Sequence, residues 1–380
     1  MAGIGPGQDS TPDIAGKGAG RARSLARHPA GPFFAISAGL AMALPWLWLL
    51  PFDDPRLVHL RLGLFGFGGA AILGYVLTAM PAWTRRGPVL PLAALWMLFL
   101  AGRVAALIWP WEALPALLAQ VALGGAVLAP VAAARLWARL PLAALPLLAG
   151  LAEAGVIAGA VSPRSIVLAM AVLVLTVGGR ILPAFLAAEA ARQGREPTAP
   201  RLPLWPAPVA AVLAMAWPPL GWPALMLVAA VMADRLRPVL RPGVGGANRM
   251  LAIGWAWVLP GLALSLLAAE GPAMTAAEHL ITTGAMGGTI MAVASRAAMR
   301  RAGGGLRPGT GQMAAFALIA LAAVLRPIAS LPGAAAGWLA ASGLFWSLGW
   351  ALFLVVHLCA MARPAPFPVL SARRGAQAAS

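Results

Sequence analysis

Apolar runs of about twenty residues recur along this 380-residue chain, separated only by short basic or turn-rich breaks. That length is what one α-helix needs to cross the hydrocarbon core of a bilayer. A soluble domain is roughly one quarter charged. Here 61% of residues are hydrophobic and only 10% are charged, so a water-facing surface cannot be built. The sequence therefore predicts an all-α polytopic membrane bundle of about twelve transmembrane helices with both termini cytoplasmic. The expected spans are Phe33–Leu50, His59–Met80, Pro88–Ile108, Ala113–Ala133, Pro141–Val161, Ser165–Ala187, Leu204–Trp217, Leu220–Ala233, Met250–Ala268, Ala276–Met299, Gln312–Leu331 and Ala335–Met361. The seventh and eighth are short, share the Pro-rich hinge 217–223, and could be one interrupted element.

Cytoplasmic loops retain Lys and Arg, which gives an independent test of this threading. Residues 1–30, the even-numbered loops and the C-terminus hold 22 of the 28 basic residues, among them Arg85, Arg135, Arg195, Arg237, Arg300 and Arg363. The opposite loops carry Asp53, Asp54, Arg56, Glu112, Arg164 and Glu270, which are mostly acidic. So strict an alternation would fail if one span were missed. It divides the chain into a basic cytoplasmic tail expected to be disordered (1–30), a transmembrane domain (31–362) and a cytoplasmic C-terminal tail (363–380).

The formal charge of +17 would suggest nucleic acid in a soluble protein. Between apolar spans it reads instead as topology and as contact with anionic lipid headgroups, with no nucleic acid as partner. The single Cys359 allows neither an internal disulfide nor a cysteine-built metal cluster. No Walker loop, nucleophile elbow or metalloprotease His-Glu motif is present.

An ionisable side chain at membrane depth costs roughly 2.5–3.5 kcal/mol on insertion scales, so each one needs a reason. The candidates are His59, Arg61, Arg103, Glu153, Arg180, His279, Arg326 and His357. With the N-terminus inside, His59 and His279 open the second and tenth spans at the outer level, and Arg61, Arg103 and Arg326 share the outer half. Imidazole ligates iron, copper or zinc, and Arg pairs with carboxylates such as haem propionates. His59 and His279 are thus candidate metal or haem ligands, with Arg103 and Arg326 as cofactor-binding partners. His59, Gly63, Gly66, Ala70 and Gly74 line one helical face, which allows close approach of another helix or of a flat ligand. Glu153 requires a cationic partner, for which Arg103 and Arg180 are available. Arg180, within Gly178-Gly179-Arg180 and before Pro183, suggests an irregular, tightly packed segment around a buried guanidinium. His28 and His357 read as structural.

The stretch from His59 through Gly68 and on to Gly74-Tyr-Val-Leu-Thr-Ala-Met-Pro-Ala-Trp-Thr84 resembles the second helix of the NnrS family. Trp96 through Arg103, Gly178 to Phe185, His279 with Gly284, Ser295-Arg296 and Pro32-Phe33-Phe34 are similar as well. The resemblance implies a multi-pass protein of the bacterial inner membrane, linked to nitric oxide metabolism and nitrosative stress and associated with haem and copper. Two departures matter. Where the family has His-x-His-Glu, this chain has His59-Leu60-Arg61-Leu62. Where it has Gly-His-Thr-Gly-Arg, this chain has Arg300-Arg301-Ala302-Gly303-Gly304. Haem through His59 and His279 remains the expectation, whereas a copper site has lost most of its donors.

The function expected is therefore that of an NnrS-like membrane protein holding one haem in the outer half of the bundle. The alternative is a small-solute transporter whose buried Arg residues and Glu153 line a pathway. Nitric oxide reduction of the haem–copper oxidase kind needs more histidine ligands than the four present.

Overall fold

A computed structural model describes residues 24–84, 87–268, 270–302, 305–331, 333–363 and 369–370. Each of the twelve apolar stretches is helical. We number them α1 (Ala30–Ala43), α2 (Pro55–Thr84), α3 (Leu92–Ile108), α4 (Leu114–Ala133), α5 (Leu145–Ile157) and α6 (Pro163–Arg192). The second half follows as α7 (Pro206–Ala216), α8 (Gly221–Leu236), α9 (Gly246–Leu267), α10 (271–295), α11 (Thr310–Ile328) and α12 (Ala336–Met361).

Seven of these are long and apolar enough to cross a membrane: α1 with its 3-10 extension to Leu49, α2, α4, α6, α9, α11 and α12. An eighth would be α5 taken with its lead-in Trp137–Ala143, from which it bends by 42°. Pro141 and Pro146 open those two pieces, and neither ring can join a continuous ladder. The uncertain pair resolves into two helices, α7 and α8, turned at Pro218–Leu220 and packed on one another. At 1.5 Å per residue the eleven-residue α7 rises only about 17 Å, well short of a membrane core.

Strand is confined, among the described residues, to a small antiparallel hairpin, β1 (Arg300–Ala302) and β2 (Gly305–Arg307), between α10 and α11. At the N-terminus, residues 24–30 are folded, although they had been assigned to the tail. Leu25 is buried, and its N–H donates to the carbonyl of Arg363 (3.1 Å), so chain start and chain end meet. Residues 1–23 and 371–380, which make up most of both expected tails, lie outside the described residues.

The core is two apolar clusters that share α2. One joins Phe33 of α1 to Leu73, Leu77, Phe99, Leu123 and Val127. The larger joins the rest of α1 and the first half of α2 to the helices from α6 onward. Accordingly 72% of the α2 span is buried, against 39–50% in the other six long spans. Whatever α2 carries sits at the centre of the bundle.

Helix α6 corrects one expectation. It runs unbroken for thirty residues through Gly178, Gly179 and Pro183, and Arg180 lies on its exposed side. The glycine pair makes room for Trp255, whose Nε1–H donates to Leu175 O (3.2 Å). Pro183 has no N–H for Gly179 O, and the buried Arg235 supplies its Nε–H instead (3.2 Å). The irregularity predicted from the Gly-Gly-Pro pattern is thus absorbed by two neighbouring side chains.

Several arginines of the even-numbered loops are engaged by their neighbours. Arg139 stacks over Trp83 (5.3 Å), Arg195 reaches Pro242 O and Arg296 lies over Phe185 (3.9 Å). Glu278 feels the charges of Arg164 and Arg56. Lys17, Arg85 and Arg86 fall outside the described residues.

Candidate functional site

Helix α2 begins with Pro55 in its first turn and Asp54 as cap, whose carboxylate accepts Leu57 N–H (2.9 Å). One turn later comes His59. Its Nδ1 lies 3.2 Å from Leu44 O, and its ring is 5.7 Å from that of Trp48. On α10, His279 ends the α-helical segment Gly271–His279 with Nδ1 2.8 Å from Thr275 O. A carbonyl only accepts, so each Nδ1 carries the proton and donates. In the neutral ring each Nε2 then keeps its lone pair, the arrangement a metal-ligating imidazole requires.

The two rings lie within electrostatic range of one another. His279 feels the charge states of both His59 and Arg326, and His59 feels that of Arg326. Arg326 donates from Nη1 to Ser330 Oγ (2.9 Å). His59, His279 and Arg326, grouped from the sequence by depth, are thus linked by their charges.

Immediately past each histidine the helix widens into a π-helix, Arg61–Gly68 on α2 and Leu280–Gly287 on α10. Both stretches are glycine-containing, and they touch where Gly68 faces Met286 Sδ. Such widening releases backbone groups from the regular ladder and is frequent at functional sites. Ser37 Oγ–H answers one of them, Phe67 O, at 2.9 Å. Nothing in the residue pattern had indicated π geometry. The small-residue face of α2 is a packing seam. Gly63 faces Leu44, Gly66 faces Leu40 and Arg103, and a Cβ at Gly74 would fall 3.0 Å from Phe34. A Cβ at Gly287 would meet the Trp346 ring at 2.7 Å.

Arg103 belongs to a different group. Its Nη2 and Nη1 reach the two oxygens of Glu153 at 2.7 and 3.0 Å, a bidentate pair. Arg61 donates from Nε to Glu153 Oε1 (2.8 Å) and from Nη1 to the carbonyls of Trp109 (3.1 Å) and Pro110 (2.7 Å). All three side chains are almost wholly buried. Of the two partners foreseen for Glu153, Arg103 is in place, whereas Arg180 is on the exposed face of α6. The sequence places Arg61 in the same outer layer as Arg103 but does not name it as a partner of Glu153; that shared depth was the signal that could have found it.

The structure adds a basic-end cluster that the site reading had passed over. Arg296 donates to Asn248 Oδ1 (3.1 Å) and Leu370 O (2.7 Å), while Asn248 Nδ2–H reaches Glu189 Oε2 (2.8 Å). His357 places Nε2 3.0 Å from Gly31 O and stacks on Phe353, holding α12 to α1. Its role is packing. Among the described residues, no group of three or more His, Cys, Asp or Glu side chains is placed to hold a metal ion.

No curated protein matches the chain. A family model described as NnrS protein matches residues 24–365, which takes in both histidines, the clamp and all twelve helices. The chain belongs to the NnrS family.

Proposed function

We propose that this protein acts in the nitric oxide response from the bacterial inner membrane, with both termini cytoplasmic and one haem held by His59 and His279. The observation that carries this reading is the pair of neighbouring imidazoles, each with Nδ1–H fixed on a backbone carbonyl and Nε2 left as a donor. Those are the features of residues that can accept an iron. Haem, when bound, would supply redox chemistry at its iron, and a coordination position for a diatomic ligand such as nitric oxide where only one of the two imidazoles ligates.

This chain's own residues orient and enclose. Leu44 O and Thr275 O set the ring tautomers. Arg326, beside both rings, is the cation for an acidic porphyrin substituent. Arg103, named for that role from the sequence, has both terminal nitrogens engaged by Glu153. Two imidazoles beside a guanidinium give a bare cupric ion no third donor, so copper is left out of the reading. A permease has less support, because Arg103 and Glu153 hold each other and Arg180 faces outward.

The test is the visible absorption spectrum of the detergent-purified full chain, with iron counted per polypeptide. A Soret band that is lost in His59→Ala and His279→Ala while the protein stays folded supports the reading. A colourless, iron-free protein purified from haem-replete cells would sink it.

A further inference from the structure

The clamp of Arg61, Arg103 and Glu153 is not electrically closed. A guanidinium does not deprotonate inside proteins, so two of them against one carboxylate leave a net charge of +1. Arg61 is fully buried and Arg103 is 3% exposed. Two of their nitrogens, Arg61 Nη2 and Arg103 Nε, are buried with no hydrogen-bond partner among the described residues. Beside them, on α4, Gln120 Oε1 is likewise unpartnered, its side chain packed on Gly150 one turn from Glu153. Burial without a counter-charge strongly disfavours an ion, and an N–H donor without an acceptor adds to the penalty.

The carbonyls of Trp109 and Pro110 meet one edge of Arg61 and offset part of the charge. They also place the clamp directly under the loop between α3 and α4, so that loop separates it from the aqueous phase. Glu112 on the same loop is exposed and makes no ion pair with either guanidinium. We infer that the Arg61 side of this clamp binds a small monovalent inorganic anion, held by Arg61 Nη2–H and Arg103 Nε–H. The size and valence follow from the surroundings. One surplus positive charge calls for one negative charge, and Glu153 together with two carbonyl oxygens would repel a multivalent oxyanion. This inference is independent of any haem.

The experiment uses the full chain in detergent or nanodiscs, dialysed into gluconate and titrated with chloride, bromide or sulfate at constant ionic strength. Melting is followed by the fluorescence of its 15 tryptophans. Chloride and bromide are expected to raise the melting temperature saturably by roughly 2–4 °C, and sulfate to leave it unchanged. Arg61→Met leaves the neutral Arg103–Glu153 pair, so its melting curve should no longer respond to chloride. Bromide should give an anomalous peak beside Arg61 in crystals of the wild-type protein. Identical wild-type curves in gluconate and chloride would overturn the proposal, with water then capping the orphan donors. An equal response to sulfate, or a chloride response retained by Arg61→Met, would overturn it too. The wild-type titration decides the matter even if the variant fails to fold.

Discussion

His59 and Arg61 stand two residues apart on α2, yet they belong to regions built on opposite terms. The imidazole pair, His59 with His279, is uncharged in its bonded tautomer, is tied down through one nitrogen of each ring and keeps the other nitrogen as an unused donor. The clamp, Arg61 with Arg103 and Glu153, is charged and spends most of its polar atoms on its own members and the loop carbonyls, leaving Arg61 Nη2 and Arg103 Nε without a partner among the described residues. Two residues along a helix turn the side chain through about 200°, so α2 presents one group to α1 and α10 and the other to α3 and α5. A buried polar group that keeps a lone pair in reserve serves a ligand. One whose polar atoms are mostly spent on each other holds the fold first, and any counter-ion it takes up adds to that.

That division can be broken by experiment, beginning with the largest effect. Glu153→Ala leaves two buried guanidiniums without their carboxylate. A loss of about 3–5 kcal/mol is expected, as for other broken buried pairs. Size-exclusion profiles of the detergent-solubilised variant should show little monodisperse protein; a normal profile and melting curve would mean that the clamp does not hold the fold. Arg235→Met, which strands the carbonyl released by Pro183, should cost about 1–3 kcal/mol, read as earlier thermal unfolding with the spectrum intact. His59→Ala and His279→Ala are expected to move stability by no more than about 1–2 kcal/mol, because each removes one exchangeable hydrogen bond and some packing. Their effect should fall on bound iron. If either unfolds the protein as Glu153→Ala does, the proposed contrast between the two regions is wrong.

The smallest effect concerns His28, at the basic end and outside the spans, and serves as a control. Burial pushes its imidazole down from 6.5 to about 4, and its neutral Nδ1 accepts Ala30 N–H (3.3 Å). The unfolded chain therefore binds more protons than the folded one between those values. The His28 contribution is complete above pH 6.5 and is lost as pH falls towards 4. The melting temperature should drop between pH 7 and pH 5, and by less in His28→Gln. An unchanged slope in that variant would remove His28 from the account.

Much of this was legible before any coordinates. The apolar stretches are helical, several of them long enough to cross a membrane, and the run from Pro32-Phe33-Phe34 to Ser295-Arg296 marked the family. Glu153 had announced its need for a cation, and Arg103 was one of two named. Span length was less legible. The prolines at 141 and 146 bend what looked like a straight crossing, and α7 is too short to cross alone. Arg180 misled because a Gly-Gly-Arg-x-x-Pro run reads locally as disruption. Its repair comes from Trp255 and Arg235, at positions no local pattern connects to it.

Hydropathy and charge act residue by residue against a planar solvent, so the sequence alone determines which segments are apolar and which of them carry ionisable groups. Which groups become neighbours within a level depends on how each helix is rotated and which helices pack together. That is why Arg61 could meet Glu153, ninety-two positions away, and His59 could stand beside His279. Only tertiary packing, including two π-helical stretches that reset the rotation of α2 and α10, decides between a lost ligand and half of a clamp.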